Sequence, residues 1–176
     1  MSEIVTPSQT VGPFFHIGLE RISRNDLTAG NAQTIQIGGQ VLDGDGKPVI
    51  DALIEIWQAD SDGKYRGNFN GYGRIATDAA GAFSFTTIKP GRVAGVSGQL
   101  QAPHIAVNVF MRGLLKHLVT RVYFPGEPSN DTDSILQIVP AARRNTLIAT
   151  PSVGSIKYLS WNIVLQGKRE TVFFDC

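Results

Sequence analysis

His104 and Arg112 are the side chains with most chemistry to offer in the run "QAPHIAVNVFMRG", Gln101 to Gly113. An imidazole can ligate a metal, move a proton near neutral pH, or sit buried with its polar atoms satisfied. A guanidinium presents a planar fork that fits a carboxylate through two parallel hydrogen bonds. The residues between them alternate: Ile105, Val107, Val109 and Met111 form an apolar row, while His104, Ala106, Asn108, Phe110 and Arg112 share the other side. That period predicts a strand with His104 and Arg112 on one face. A metal at His104 would need donors from elsewhere, and the other histidines are His16 and His117. Ligand, acid–base and structural roles all stay open for His104, as do surface cation and carboxylate fork for Arg112. Glu55, in the apolar-looking "IEIW", calls for a specific polar partner. No serine elbow or pair of catalytic carboxylates accompanies these residues.

Strands must carry this face. "TIQIGGQVL", "ALIEIWQA", "AFSFTTI", "LVTRVYF" and "YLSWNIVL" read as further strands, the last reaching "TVFF" through "QGKRE" in a closing hairpin. "DGDG" at 43–46 and "DSDG" at 60–63 lack the following oxygen ligands and terminal glutamate of a calcium loop and read as turns. Helical spacing is confined to "TDSILQIVPAARRNTLIA", where Thr132 or Asp133 suits an N-cap and Pro140 divides the stretch. The expected fold is all-β: a two-sheet antiparallel β-sandwich with an irregular N-terminal arm and short helical pieces. The arm spans 1–33 and the sandwich 34–176.

A chain of 176 residues, 42% hydrophobic and 18% charged, fits one globular domain with its own core. A net charge of +1 gives no electrostatic case for nucleic acid or an anionic membrane, and no apolar run is long enough for a span. The single cysteine, Cys176, excludes an intrachain disulfide or a cysteine-rich metal site. "MSEIVTPSQTVGPFF" has neither the basic nor the apolar region of a secretion signal, so a cytoplasmic location is expected.

Taken together, "TPSQTVGPFFHIG", "IEIWQADSDGKY", "GYGRIATD", "TIKPG", "APHIAVNVFMRG", "LVTRVYF", "RRNTLIA" and "NIVLQGKRETVFFD" resemble the intradiol ring-cleavage dioxygenases, in order and over nearly the whole chain. The resemblance is to the alpha-type chains of two-chain members. It implies a homologous beta chain as partner, with Fe(III) held there by two tyrosines and two histidines. It also implies protocatechuate and O2 as substrates, with ring opening between the hydroxylated carbons. This chain departs from the iron-binding pattern. Catalytic chains read "RPAHIH" where this one reads "QAPHIA", so His104 is the relic of one ligand position and Ala106 stands at the next. Gln101 replaces an active-site arginine, Val93 a ligand tyrosine, and Arg121 a glutamine, while Tyr65 matches a non-ligand tyrosine. The other ligand tyrosine falls in a segment largely absent here. The resemblance therefore implies no catalytic residue and no metal in this chain. It assigns Thr10, Gly12, Pro13 and Phe14 to the wall of the partner's substrate pocket, and Arg112 to the substrate carboxylate.

Overall fold

Alternation of apolar and polar residues becomes nine short strands among the residues described by the computed structural model, which are 6–28, 30, 33–95, 98–152 and 155–175. They are β1 (Ile35–Leu42), β2 (Leu53–Trp57), β3 (Tyr72–Ala76), β4 (Ala82–Thr87), β5 (His104–Phe110), β6 (Leu118–Tyr123), β7 (Thr150–Ser152), β8 (Ser155–Ser160) and β9 (Ile163–Val164). One sheet runs β3-β2-β5-β6, antiparallel throughout. The other runs β4-β1-β8-β7, with β9 also on β1. The core between them includes Ile37, Val41, Ile54, Ile56, Phe83, Phe85, Ile105, Val107 and Val109. Burying these side chains is the main force holding the sheets together.

The two-sheet β architecture is as expected, but β1 runs parallel to both β8 and β9. A break at Trp161 and Asn162 separates those two partners, and Gly39 permits it. A Cβ on Gly39 would lie 2.0 Å from the Trp161 carbonyl oxygen, so backbone passes where a side chain would stand. The expected closing hairpin at "TVFF" does not form as a strand pair. Thr171 N–H donates to the Val164 carbonyl at 2.8 Å, but Phe174 then bridges Val119 of β6. The tail thus covers the β6 edge. β3 is hidden in the sequence, because Gly73 and Arg74 interrupt the alternation.

Both acidic repeats are turns. Asp43 accepts from Asp45 and Lys47 N–H at 2.9 and 2.8 Å, and Asp60 accepts from Asp62 and Lys64 N–H at the same distances. Asp133 caps α2 (Ser134–Ile138), accepting from Ile135 N–H at 3.0 Å and Leu136 N–H at 2.8 Å. Pro140 ends that segment, and a 3₁₀ stretch, Ala141–Leu147, follows.

The N-terminal stretch carries α1 (Phe14–Glu20) and then threads along the sandwich. Arg24 bridges Arg74 of β3, and Leu27, fully buried, donates its N–H to the Thr86 carbonyl at 2.8 Å. Leu27, within the 1–33 span, therefore belongs to the core. Cys176 and the side chain of His16 lie outside the described residues. Among the described residues no helix is long and apolar enough to cross a membrane.

Candidate functional site

The outer face of the β3-β2-β5-β6 sheet carries the polar chemistry. Strand register sets Tyr72, Trp57, Ala106 and Arg121 in one row, Arg74, Glu55 and Asn108 in another, and His104 opposite Tyr123. Glu55 has the partners its setting demanded. It accepts from Tyr72 Oη and Arg74 Nε, both at 2.8 Å, and from Arg74 Nη2 at 2.5 Å. Burial, reinforced by the bond to Glu55, pushes the Tyr72 phenol up to about 12.

His104 stands at the start of β5, only 5% exposed. Its Nδ1 is 2.8 Å from the Ala102 carbonyl oxygen. A carbonyl only accepts, so Nδ1 carries the proton and Nε2 is the free nitrogen. Burial, helped by the nearby Arg121 guanidinium, holds the imidazole below its ordinary pKa. Beside it Tyr123, fully buried, donates to Asp133 Oδ1 at 3.1 Å, and its phenol is raised by burial and then by Asp133. Asp133 Oδ2 accepts from Ala102 N–H at 2.7 Å, so this carboxylate ties the lead-in of β5 to β6 and α2. Arg121 Nη1 donates to Gln101 Oε1 at 2.6 Å. The arginine and the amide that the resemblance placed at exchanged positions thus bond to each other. Tyr65 stacks on Trp57 with centroids 5.8 Å apart and planes 8° off parallel. Its phenol is raised by burial, an effect that Arg121 opposes.

Can this end hold a ferric ion? Fe(III) is a hard cation that favours several anionic oxygen and nitrogen donors. His104 offers one nitrogen, while Ala106 and buried Val93 offer none. Arg121 places a fixed positive charge among these groups, which repels a cation. No group of three or more His, Cys, Asp or Glu side chains converges among the described residues. The residues do not fit the ion.

Arg112 lies elsewhere. β5 ends at Phe110, and six residues of strand at about 3.4 Å each put His104 and Phe110 about 20 Å apart. Arg112 sits in the turn beyond, so the shared face does not bring it to His104. It pairs instead through Nε with Asp51 Oδ2, and its side chain is 61% exposed. The arm meets this same end. Thr10 Oγ1 accepts from Gly113 N–H at 2.8 Å, and Phe15 packs on Phe110 at 5.4 Å. Phe110 also stacks on His117 at 5.0 Å, which sets His117 at the Phe110 end of β5 and away from His104. Gly12, Pro13 and Phe14 are exposed beside this junction. Thr10 and Arg112 are therefore gathered at one end of the sheet, and His104, Gln101 and Arg121 at the other.

Asp51 and Asp133 were not picked out from the sequence as a partner for Arg112 and as a buried hub. The signal for Asp51 was available: an acid set within "VIDAL" needs a partner as Glu55 does.

Fold and sequence agree on a class. The family model described as Dioxygenase matches residues 18–167, and the chain belongs to the intradiol ring-cleavage dioxygenase family. It is 40% identical over 194 aligned positions to the protocatechuate 3,4-dioxygenase alpha chain of Burkholderia cepacia, covering 97% of this chain and 96% of that one. It is 35% identical over 182 positions to the beta chain from the same organism, covering 93% and 77%. Among solved structures it resembles the dioxygenase domain of a dioxygenase carbohydrate-binding protein fusion from Streptomyces sp. SirexAA-E. That match has a TM-score of 0.67 and 28% identity, over 85% of this chain and 89% of the other.

Proposed function

We propose that this chain is the non-iron-ligating alpha-type subunit of a protocatechuate 3,4-dioxygenase. A homologous beta chain holds Fe(III), and the complex cleaves protocatechuate with O2 to 3-carboxy-cis,cis-muconate. The observation that carries this reading is the division of the sheet face. The end bearing His104 offers one imidazole nitrogen, has Ala106 and Val93 nearby with no donor, and holds Arg121. The opposite end exposes a cation, Arg112, next to an arm, and among the described residues no metal-binding cluster forms there. In this reading residues 1–33 act as an arm that reaches the partner. Thr10, Gly12, Pro13 and Phe14 form one wall of the partner's substrate pocket, and Arg112 receives the substrate carboxylate. The chain supplies binding and orientation, and the iron in the beta chain supplies the activation of catechol oxygens and dioxygen.

The test measures iron content and protocatechuate-dependent oxygen uptake for the chain alone and for the chain co-expressed with a beta chain. Iron and turnover only in the complex support the reading. Stoichiometric iron and turnover in the lone chain would overturn it in favour of a homomeric enzyme with a rearranged site. Within the complex, Arg112→Ala weakens use of protocatechuate by about 2–5 kcal/mol, the cost of removing one partner of a desolvated charge pair. Catechol, which has no carboxylate, is affected far less. Equal losses for both substrates would remove the recognition role from Arg112.

A further inference from the structure

The contact between Arg112 and Asp51 bears on how such a cation is presented. Asp51 follows Ile50 in the turn that leads into β2, and its side chain is 17% exposed, against 61% for Arg112. The carboxylate is thus the fixed member of the pair and the guanidinium the outward one. Among the described residues, only Nε of Arg112 is engaged. Both terminal nitrogens stay available, and they make the fork that meets a carboxylate end-on. The backbone is fixed too, because the adjacent Gly113, at φ +90°, donates its N–H to Thr10 at 2.8 Å. An exposed arginine on a turn would otherwise sample many rotamers, and ordering it would fall on the binding step.

We propose that Asp51 is a positioning residue for anion recognition, gripping Arg112 at Nε so that Nη1 and Nη2 are held ready for the carboxylate of an aromatic acid. The inference rests on the proposed role of Arg112 and extends it. Asp51 also subtracts charge from the guanidinium, so the opposite role, a competitor that the ligand must displace, makes the reverse prediction.

The test is steady-state kinetics on the assembled complex with the beta chain, using protocatechuate and catechol. Asp51→Ala raises KM for protocatechuate about tenfold, the equivalent of about 1.4 kcal/mol, with kcat changed less than about twofold and catechol KM shifted far less. Asp51→Asn keeps an oxygen acceptor for Nε and recovers most of the loss. The double variant Asp51→Ala with Arg112→Ala is no worse than Arg112→Ala alone, because both act through one guanidinium. A lowered protocatechuate KM in Asp51→Asn would identify a competitor and overturn the proposal. Equal losses on both substrates, or additive losses in the double variant, would show a merely structural aspartate. If Asp51→Ala does not assemble, Asp51→Ser, which removes the carboxylate but keeps a small polar side chain, carries the same comparison. A complex in which Arg112→Ala treats both substrates alike fails at the earlier reading, and this inference falls with it.

Discussion

A buried imidazole needs its state set by its neighbours, and His104 has them. Its Nδ1–H donates to the Ala102 carbonyl, while burial and then the guanidinium of Arg121 disfavour the charged ring. The folded pKa therefore lies below the unfolded value of about 6.5. In the interval between the two, the unfolded chain binds more protons than the folded one. Stability from this residue is full above about pH 6.5 and is lost as pH falls toward the folded value. Urea unfolding at a series of pH values checks this: the wild type should lose more stability than His104→Gln between about pH 7 and pH 5. Parallel curves would mean that His104 does not titrate differently in the two states. The motif "APHIA" located this residue, but its three possible roles were separated only by what lies across the strands. Neither Arg121 nor Asp133 is near it in sequence.

Among the elements, α2 is five residues long and cannot be stable alone, so its cap matters more than its propensity. Asp133 is fully buried, and one carboxylate accepts from two α2 amides, from Ala102 N–H and from Tyr123 Oη. Replacing Asp133 with alanine removes the cap and orphans buried donors on two other elements, a loss of about 3–5 kcal/mol. Asp133→Asn should cost less. It keeps an oxygen for the cap and turns a donor toward one former partner. Denaturant midpoints of the two variants check the order, and equal small losses would show that water reaches the site. Here the sequence was half legible. The capping role follows from "TDSIL" and Pro140, whereas the bonds to Ala102 and Tyr123 span 31 and 10 residues and leave no local trace.

At the scale of the molecule, the two ends of one sheet differ in kind. At the His104 end, His104, Tyr123 and Asp133 are buried and hydrogen-bonded within the chain, while Trp57 and Tyr65 stack half-exposed on the neighbouring row. The Arg112 end is open and apolar around its cation, with Phe14 82%, Leu115 65% and Ile50 59% exposed. Exposed apolar residues grouped on one end are what an association surface offers. The double variant Phe14→Asp with Leu115→Asp should weaken assembly with the beta chain, measured by sedimentation. The lone chain should keep its stability within about 0.5 kcal/mol, since both side chains are already exposed. Unchanged assembly would place the interface elsewhere.

Local period, local hydrogen bonding and ordered motifs made the faces of most strands, the two aspartate turns, the break at Pro140 and the family legible in the sequence. The sequence also shows that Ala106 and Val93, which the resemblance sets at metal-ligand positions, carry no ligating side-chain atom. Packing across the fold decided that β1 pairs in parallel with β8 and β9, that the "TVFF" tail turns to β6, and that Arg121 meets Gln101. It also decided that Arg112 stands about 20 Å or more from His104 although the two share a strand's parity. Alternation fixes the side of a sheet on which a residue lies. The length of the strand and the contacts at its ends fix the site to which the residue belongs.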